Sequence, residues 1–170
     1  MVMLDKALAP LLLVSVFMSG AVLAQSATSL PSTDQAAITA ACTDLVLDYA
    51  YYRDRPDAAG FASVFTQDGE LRVMGEAFIG RKALHDRLAN AGHGPVYRHM
   101  MSTIRIFPKS PRKATGVSYV TVYSAPSGTL PAKVGDFAAV GEYRDEFVLT
   151  EAGWKIARRE FVPVFLPPDS

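Results

Sequence analysis

Apolar residues recur at helical spacing from residue 38 onward: Ile38, Ala41, Cys42, Leu45, Tyr49 and Tyr52 fall on one face of a long first helix ending near Arg53. Ser32 followed by Gln35 has the spacing of a capping box at its start. Pro56 stops the helix, and Asp57 is placed to cap a short second one whose apolar side is Phe61, Val64 and Phe65. Gln67-Asp68-Gly69 reads as a turn. ELRV (70–73) and EAFIG (76–80) then read as short strands around Met74-Gly75, and RKALHDRLANAG (81–92) as a third amphipathic helix with Leu84 and Leu88 inward and Gly92 as its stop. Beyond it the period changes to two. VYRHMMSTIRIF (96–107), ATGVSYVTVYSA (114–125), FAAVGEYRDEFVLT (137–150) and GWKIARREFVPVF (153–165) are long strands, with PKSPR and TEAG as turns. Three helices followed by a meandering sheet define an α+β domain.

The segment before this pattern is of another kind. Lys6, an apolar run from Ala7 to Met18, Ser19-Gly20 and Val22-Leu23-Ala24 read as an export signal over residues 1–24, because the run is shorter than the roughly 20 residues of a membrane span. Residues 25–33, QSATSLPST, are small and polar and are expected to be a disordered lead, with the domain at 34–166. A periplasmic or secreted location follows, with no membrane attachment after processing. Cys42 is the single cysteine, so no internal disulfide forms, and its helix face makes it a buried, inert thiol.

Charge narrows the partners. Lys plus Arg equals Asp plus Glu at 17 each, which gives no basic excess for nucleic acid. A small molecule held in a pocket is the expected partner. No histidine-carboxylate spacing of metal type, Gly-rich phosphate loop or Gly-x-Ser-x-Gly elbow occurs, so no metal or cofactor is expected. Of three histidines, His85 belongs to a solvated helix face and His93 to the loop AGHGP. His99 lies within a strand, on the side of Tyr97, Met101 and Thr103 by alternation, where an imidazole needs a hydrogen-bonding partner. Proton transfer by Asp, His and Tyr is the chemistry left to such a set.

The order of LVLDYAYYRDRPDAAGFASVFTQDGEL (45–71), FIGRKAL (78–84), YRHMMSTIRI (97–106) and YRDEFVLTEAGWKIARREF (143–161) resembles the SnoaL-like branch of the nuclear transport factor 2-like superfamily, in its scytalone dehydratase-like group. The resemblance implies a cone-shaped, cystatin-like fold with three N-terminal helices packed on a curved, mixed sheet, and a pocket between them. It implies an Asp54–His99 dyad, with Tyr49 as a catalytic phenol polarising a substrate carbonyl. The dehydratases have a second histidine on the strand after His99; here Tyr123 or Ser124 lies near that place. Tyr52, Met101, Tyr123 and Ser124 are the expected substrate-binding residues, the substrate is small and apolar, and the chain is expected to pair as a homodimer. The resulting expectation is an exported, cofactor-free lyase or isomerase; alternatives are a hydrophobic ligand-binding or dimerisation module, or a hydrolase if Asp145 or Glu142 faces inward. Arg98, Arg144 and Arg158 read as a solvated strand face or a subunit contact.

Overall fold

The computed structural model describes residues 30–90, 94–126 and 130–168. The expected export signal at residues 1–24, most of the expected polar lead, Gly92 and His93 lie outside the described residues. Helix α1 (Ser32–Asp54) is followed by α2 (Ala58–Ser63), strands β1 (Phe65–Val73) and β2 (Glu76–Ile79), α3 (Arg81–Ala89), and strands β3 (Val96–Ser110), β4 (Lys113–Ala125), β5 (Ala139–Thr150) and β6 (Gly153–Phe165). The six strands form one sheet in the order β2-β1-β6-β5-β4-β3, antiparallel throughout except for the parallel β1–β6 pair. Among the described residues, no helix is long and apolar enough to cross a membrane.

The helical periodicity of α1 translates directly into packing. Ile38, Cys42, Leu45, Val46, Tyr49 and Ala50 are its buried residues. With Phe61, Phe65, Leu71, Leu84, Phe147 and Ile156 they form one continuous core between helices and sheet. Each fully buried Val, Leu, Ile or Phe among them contributes about 1.5–3 kcal/mol of hydrophobic stabilisation. Asp57 caps α2 as expected, its Oδ1 accepting the Gly60 N–H at 2.8 Å. Gly60 lies directly against the Tyr52 ring, where a Cβ would collide with it.

Three local expectations are corrected. Ser32 does not cap α1: Pro31 holds that position without a side-chain cap, and Gln35 Nε2 instead donates to Leu30 O at 2.7 Å. Helical structure therefore starts inside the segment expected to be a lead, with Leu30 packed on the core. Gln67-Asp68-Gly69 is not a turn but part of β1, which absorbs the irregularity as a register shift against β6 between Phe65 and Glu70.

Bulges set the parity of the two strands that matter most for the interior. In β3 the pairing with β4 shifts between Ser102 and Arg105, and Thr103 takes φ 46°. Thr103 is consequently exposed, not inward with His99, and the inward series runs Tyr97, His99, Met101, Ile104, Ile106. In β6, Ile156 pairs with Phe147 and Arg158 with Glu146, leaving Ala157 as an extra residue. Strict alternation from Ile156 would send Arg158 inward. The bulge sends Arg159 inward instead, and leaves Arg158 on the outer side among Glu70, Glu146 and Glu160.

The Cys42 thiol is completely buried, and burial, reinforced by the charge of Asp145, pushes it up to about 12. It is therefore held as the neutral thiol at neutral to mildly alkaline pH. The native protein is expected to leave Ellman's reagent unreacted at neutral to mildly alkaline pH and to release one equivalent of thiol on denaturation. Rapid labelling of the native state would contradict this packing.

Candidate active site

Asp54 is the last residue of α1 and His99 the fourth of β3, and α1 packs against β3 so that the two meet. Asp54 Oδ2 accepts the backbone N–H of His99 at 2.8 Å, and Asp54 Oδ1 lies 2.6 Å from His99 Nδ1. Both side chains are nearly closed to solvent, 8% and 7% exposed. A carboxylate only accepts, so Nδ1 carries the proton in this contact. Nε2 is then the ring nitrogen left for the cavity that His99 lines, with its lone pair free when the ring is neutral. A carboxylate at a helix C-terminus opposes the helix dipole, and these two hydrogen bonds compensate it.

The cavity has a volume of about 240 Å³. Tyr49, Tyr143 and Phe161 form its buried depth, Tyr97, Val122 and Ala139 its sides, and the exposed Met74 and Leu166 its rim. Tyr49 meets His99 edge to face with ring centroids 6.3 Å apart, and Tyr143 at 5.3 Å. Burial first, then the neighbouring Tyr49, holds the Tyr143 phenol well above its ordinary value against the pull of Arg159, so it remains a hydrogen-bonding phenol.

Beneath these rings lies the group that the β6 bulge turns inward. Arg159 is entirely buried and forms a bidentate pair with Asp145, Nε to Oδ1 at 2.7 Å and Nη2 to Oδ2 at 2.8 Å, from directly paired positions on β6 and β5. Its guanidinium sits 4.2 Å from the Tyr49 ring centroid and 4.6 Å from that of Tyr143, while Nη1 has no hydrogen-bond partner. Burial works against this charge, but the attraction and hydrogen bonds of Asp145 outweigh it and hold Arg159 above its ordinary pKa. The site therefore carries a fixed positive charge behind two phenols.

Of the expected site residues, Asp54, His99 and Tyr49 come together; the four expected binding residues do not join them at the cavity. Tyr52 is one helical step round from Tyr49 and packs on Tyr51 and Gly60. Met101 faces the core two residues beyond His99 and does not line this cavity. The residue paired with His99 is Val122, so Tyr123 projects to the opposite face, 38% exposed, and Ser124 pairs with Tyr97. Tyr123 and Ser124 line a separate cleft of about 230 Å³ with Leu130 and Val134. An apolar side chain thus stands across from His99 where a second polar group was expected. Asp145 does face inward, but both its oxygens are held by Arg159, and Glu142 pairs with Arg144, which leaves neither to activate water. His85 is half exposed beside Asp86. Among the described residues there is no cluster of three or more His, Cys, Asp or Glu side chains able to hold a metal.

The family model of the SnoaL-like domain matches residues 34–160, and the chain belongs to that family. Among solved structures, it is similar to a proposed scytalone dehydratase from Novosphingobium aromaticivorans (TM-score 0.69, 23% identity, 79% of this chain and 89% of that one). A nuclear transport factor 2-like protein with a cystatin-like fold from the same organism aligns with TM-score 0.62 and 24% identity over 82% and 92% of the two chains. A type 2 hexachlorocyclohexane dehydrochlorinase, LinA, aligns with TM-score 0.66 and 20% identity over 82% and 100%. These likenesses establish the α+β cystatin-like fold. No curated protein sequence matches the chain.

The buried ion pair has a measurable signature. Asp145→Leu and Arg159→Met are each expected to lower the unfolding free energy in urea by about 3–5 kcal/mol, since each strands a buried charge, and the double change by much less than their sum. Additive losses would show that the two side chains do not act as a pair.

Proposed function

We propose that this protein is a cofactor-free lyase or isomerase that removes a proton from carbon next to a carbonyl in a small, largely apolar substrate. The observation that carries this reading is the Asp54–His99 contact at 2.6 Å in the wall of an apolar cavity. His99 Nε2 takes the proton: the C–H bond breaks, an N–H bond forms, and the electron pair moves onto the carbonyl oxygen as an enolate. Asp54 holds the tautomer and steadies the imidazolium. Tyr49 donates its phenol hydrogen to the enolate oxygen, with the Arg159 charge behind its ring favouring the build-up of negative charge. The enolate then collapses in one of two ways. It expels a leaving group from the adjacent carbon, or it takes the proton back from His99 at another carbon and shifts the double bond.

Two structural relatives bear names that denote eliminations, of water and of hydrogen chloride, which supports the first outcome. The β4 residue directly opposite His99 is the apolar Val122, which supports substrates whose leaving group departs without help from that position or whose double bond simply migrates. Export to the periplasm or the outside belongs to this proposal on the strength of residues 1–24. So does pairing of two copies through the outer sheet face, where Met100, Phe107 and Tyr119 are exposed.

Proton abstraction can be tested before the substrate is identified. The protein is expected to accelerate exchange of the α-protons of 2-tetralone with deuterated water, followed by proton NMR, and His99→Ala and Asp54→Asn to slow that exchange by on the order of 100-fold or more. Folded variants that exchange at the wild-type rate would overturn the mechanism. Saturable binding of the ketone by the wild type without exchange would make ligand capture the better reading.

A further inference from the structure

Two arginines in the cavity wall have no role in the proton transfer. Arg53 stands in the last turn of α1, beside Asp54, and Arg87 in the last turn of α3; both line the cavity with His99. The same two side chains, with Phe61 and Leu88, also line a smaller hollow of about 160 Å³, so both border the same two spaces. A cation in the last turn of a helix is favourable on its own account, but solvent would serve that purpose equally well. These two instead line the cavity, whose remaining walls are aromatic and aliphatic apart from His99.

Both pack on aromatic faces, and only Arg87 also reaches a carboxylate. Arg53 stacks on Tyr97 at 4.2 Å from the ring centroid and makes no ion pair or side-chain hydrogen bond among the described residues. Arg87 stacks on Phe78 at 4.1 Å and reaches only Glu76, at 3.7 Å, whose side chain is 71% exposed. Stacking fixes the guanidinium plane and leaves its N–H edge available, the arrangement that suits bidentate recognition of a planar anion. Among the described residues lining the cavity there is no Asp or Glu to neutralise the pair. Two like charges facing one low-dielectric space repel each other until an anion enters.

We propose that Arg53 and Arg87 form a carboxylate subsite, and that the substrate is an apolar oxo acid. Tyr97 links the two groups: Arg53 stacks on its ring, and the His99 ring centroid is 6.3 Å away. Arg53 and His99 thus both neighbour one ring, so the acid group and the carbon that loses its proton belong to the same small molecule, as on a cyclic ketone bearing a carboxylate. This rests on the proton-abstraction reading for the carbonyl but not for the anion.

The test separates the two. Calorimetric titration with 2-naphthoate and with 2-naphthamide, at a pH well above the ordinary imidazole range of about 6.5, is expected to show the acid bound about tenfold tighter or more. Arg53→Gln and Arg87→Gln are each expected to remove most of that preference while leaving the amide's affinity within about twofold, and His99→Ala to retain the preference. Equal affinities for acid and amide in the wild type, no detectable binding of naphthoate, or a preference that survives both arginine substitutions would overturn the subsite. The wild-type comparison needs no variant to fold. Loss of deuterium exchange in 2-tetralone without loss of the naphthoate preference would count against the mechanism alone.

Discussion

One carboxylate pins the C-terminal end of the first helix to the strand that carries the imidazole. Asp54 terminates α1, and each of its oxygens is committed to residue 99, one to the backbone N–H and one to the ring. The backbone bond ties the end of α1 to β3, and the ring bond decides which face of the imidazole is turned away from it. Everything proposed for the cavity follows from that orientation: an Nε2 lone pair in an apolar space, a phenol at right angles to it, and a helix end that brings Arg53 to the same wall. Either bond alone would leave the ring free to rotate or the helix end free to fray.

A second ionic contact does for the depth of the site what the first does for its wall. Arg159 and Asp145 are cross-strand neighbours on β6 and β5, and their bidentate pairing puts a charge under the rings of Tyr49 and Tyr143. A buried pair of this kind contributes little to stability in itself, because desolvation consumes most of the attraction. Its presence at the base of a cavity makes better sense as preorganised electrostatics: a positive charge already in place where an enolate would form. Tyr143, kept protonated by burial, adds no negative charge of its own beside it.

The element order, the four long strands and the meeting of Asp54 with His99 were legible in the chain, since helical and alternating periods and the order of the quoted motifs carry them. What escaped is what depends on register. One residue of slip inverts every side chain of a strand, so placing Tyr123 or Ser124 opposite His99 required a pairing that puts Val122 there instead. Arg159 escaped because an extra Ala157 reverses the parity of β6 after Ile156, and Thr103 was misplaced by the bulge in β3. Tyr52 shows the helical equivalent: three residues from Tyr49 turn it far enough to pack on α2. Arg53 and Arg87 had a sequence signal, cations in the last turns of two helices, but only the folded structure shows them to line the same hollow.

The protonation pattern of the His99 ring is the most direct measure of whether the dyad is built as described. In protein labelled at its histidine nitrogens, two-bond correlation NMR at a pH where the ring is neutral should find the proton on Nδ1, with a hydrogen-bonded ring N–H far downfield, and Nε2 unprotonated. Asp54→Asn should remove that downfield signal and let the tautomer relax toward Nε2–H, the form favoured in free imidazole side chains. A wild-type ring already protonated at Nε2, or one indifferent to the loss of the Asp54 charge, would contradict the assignment of His99 as a base held by Asp54.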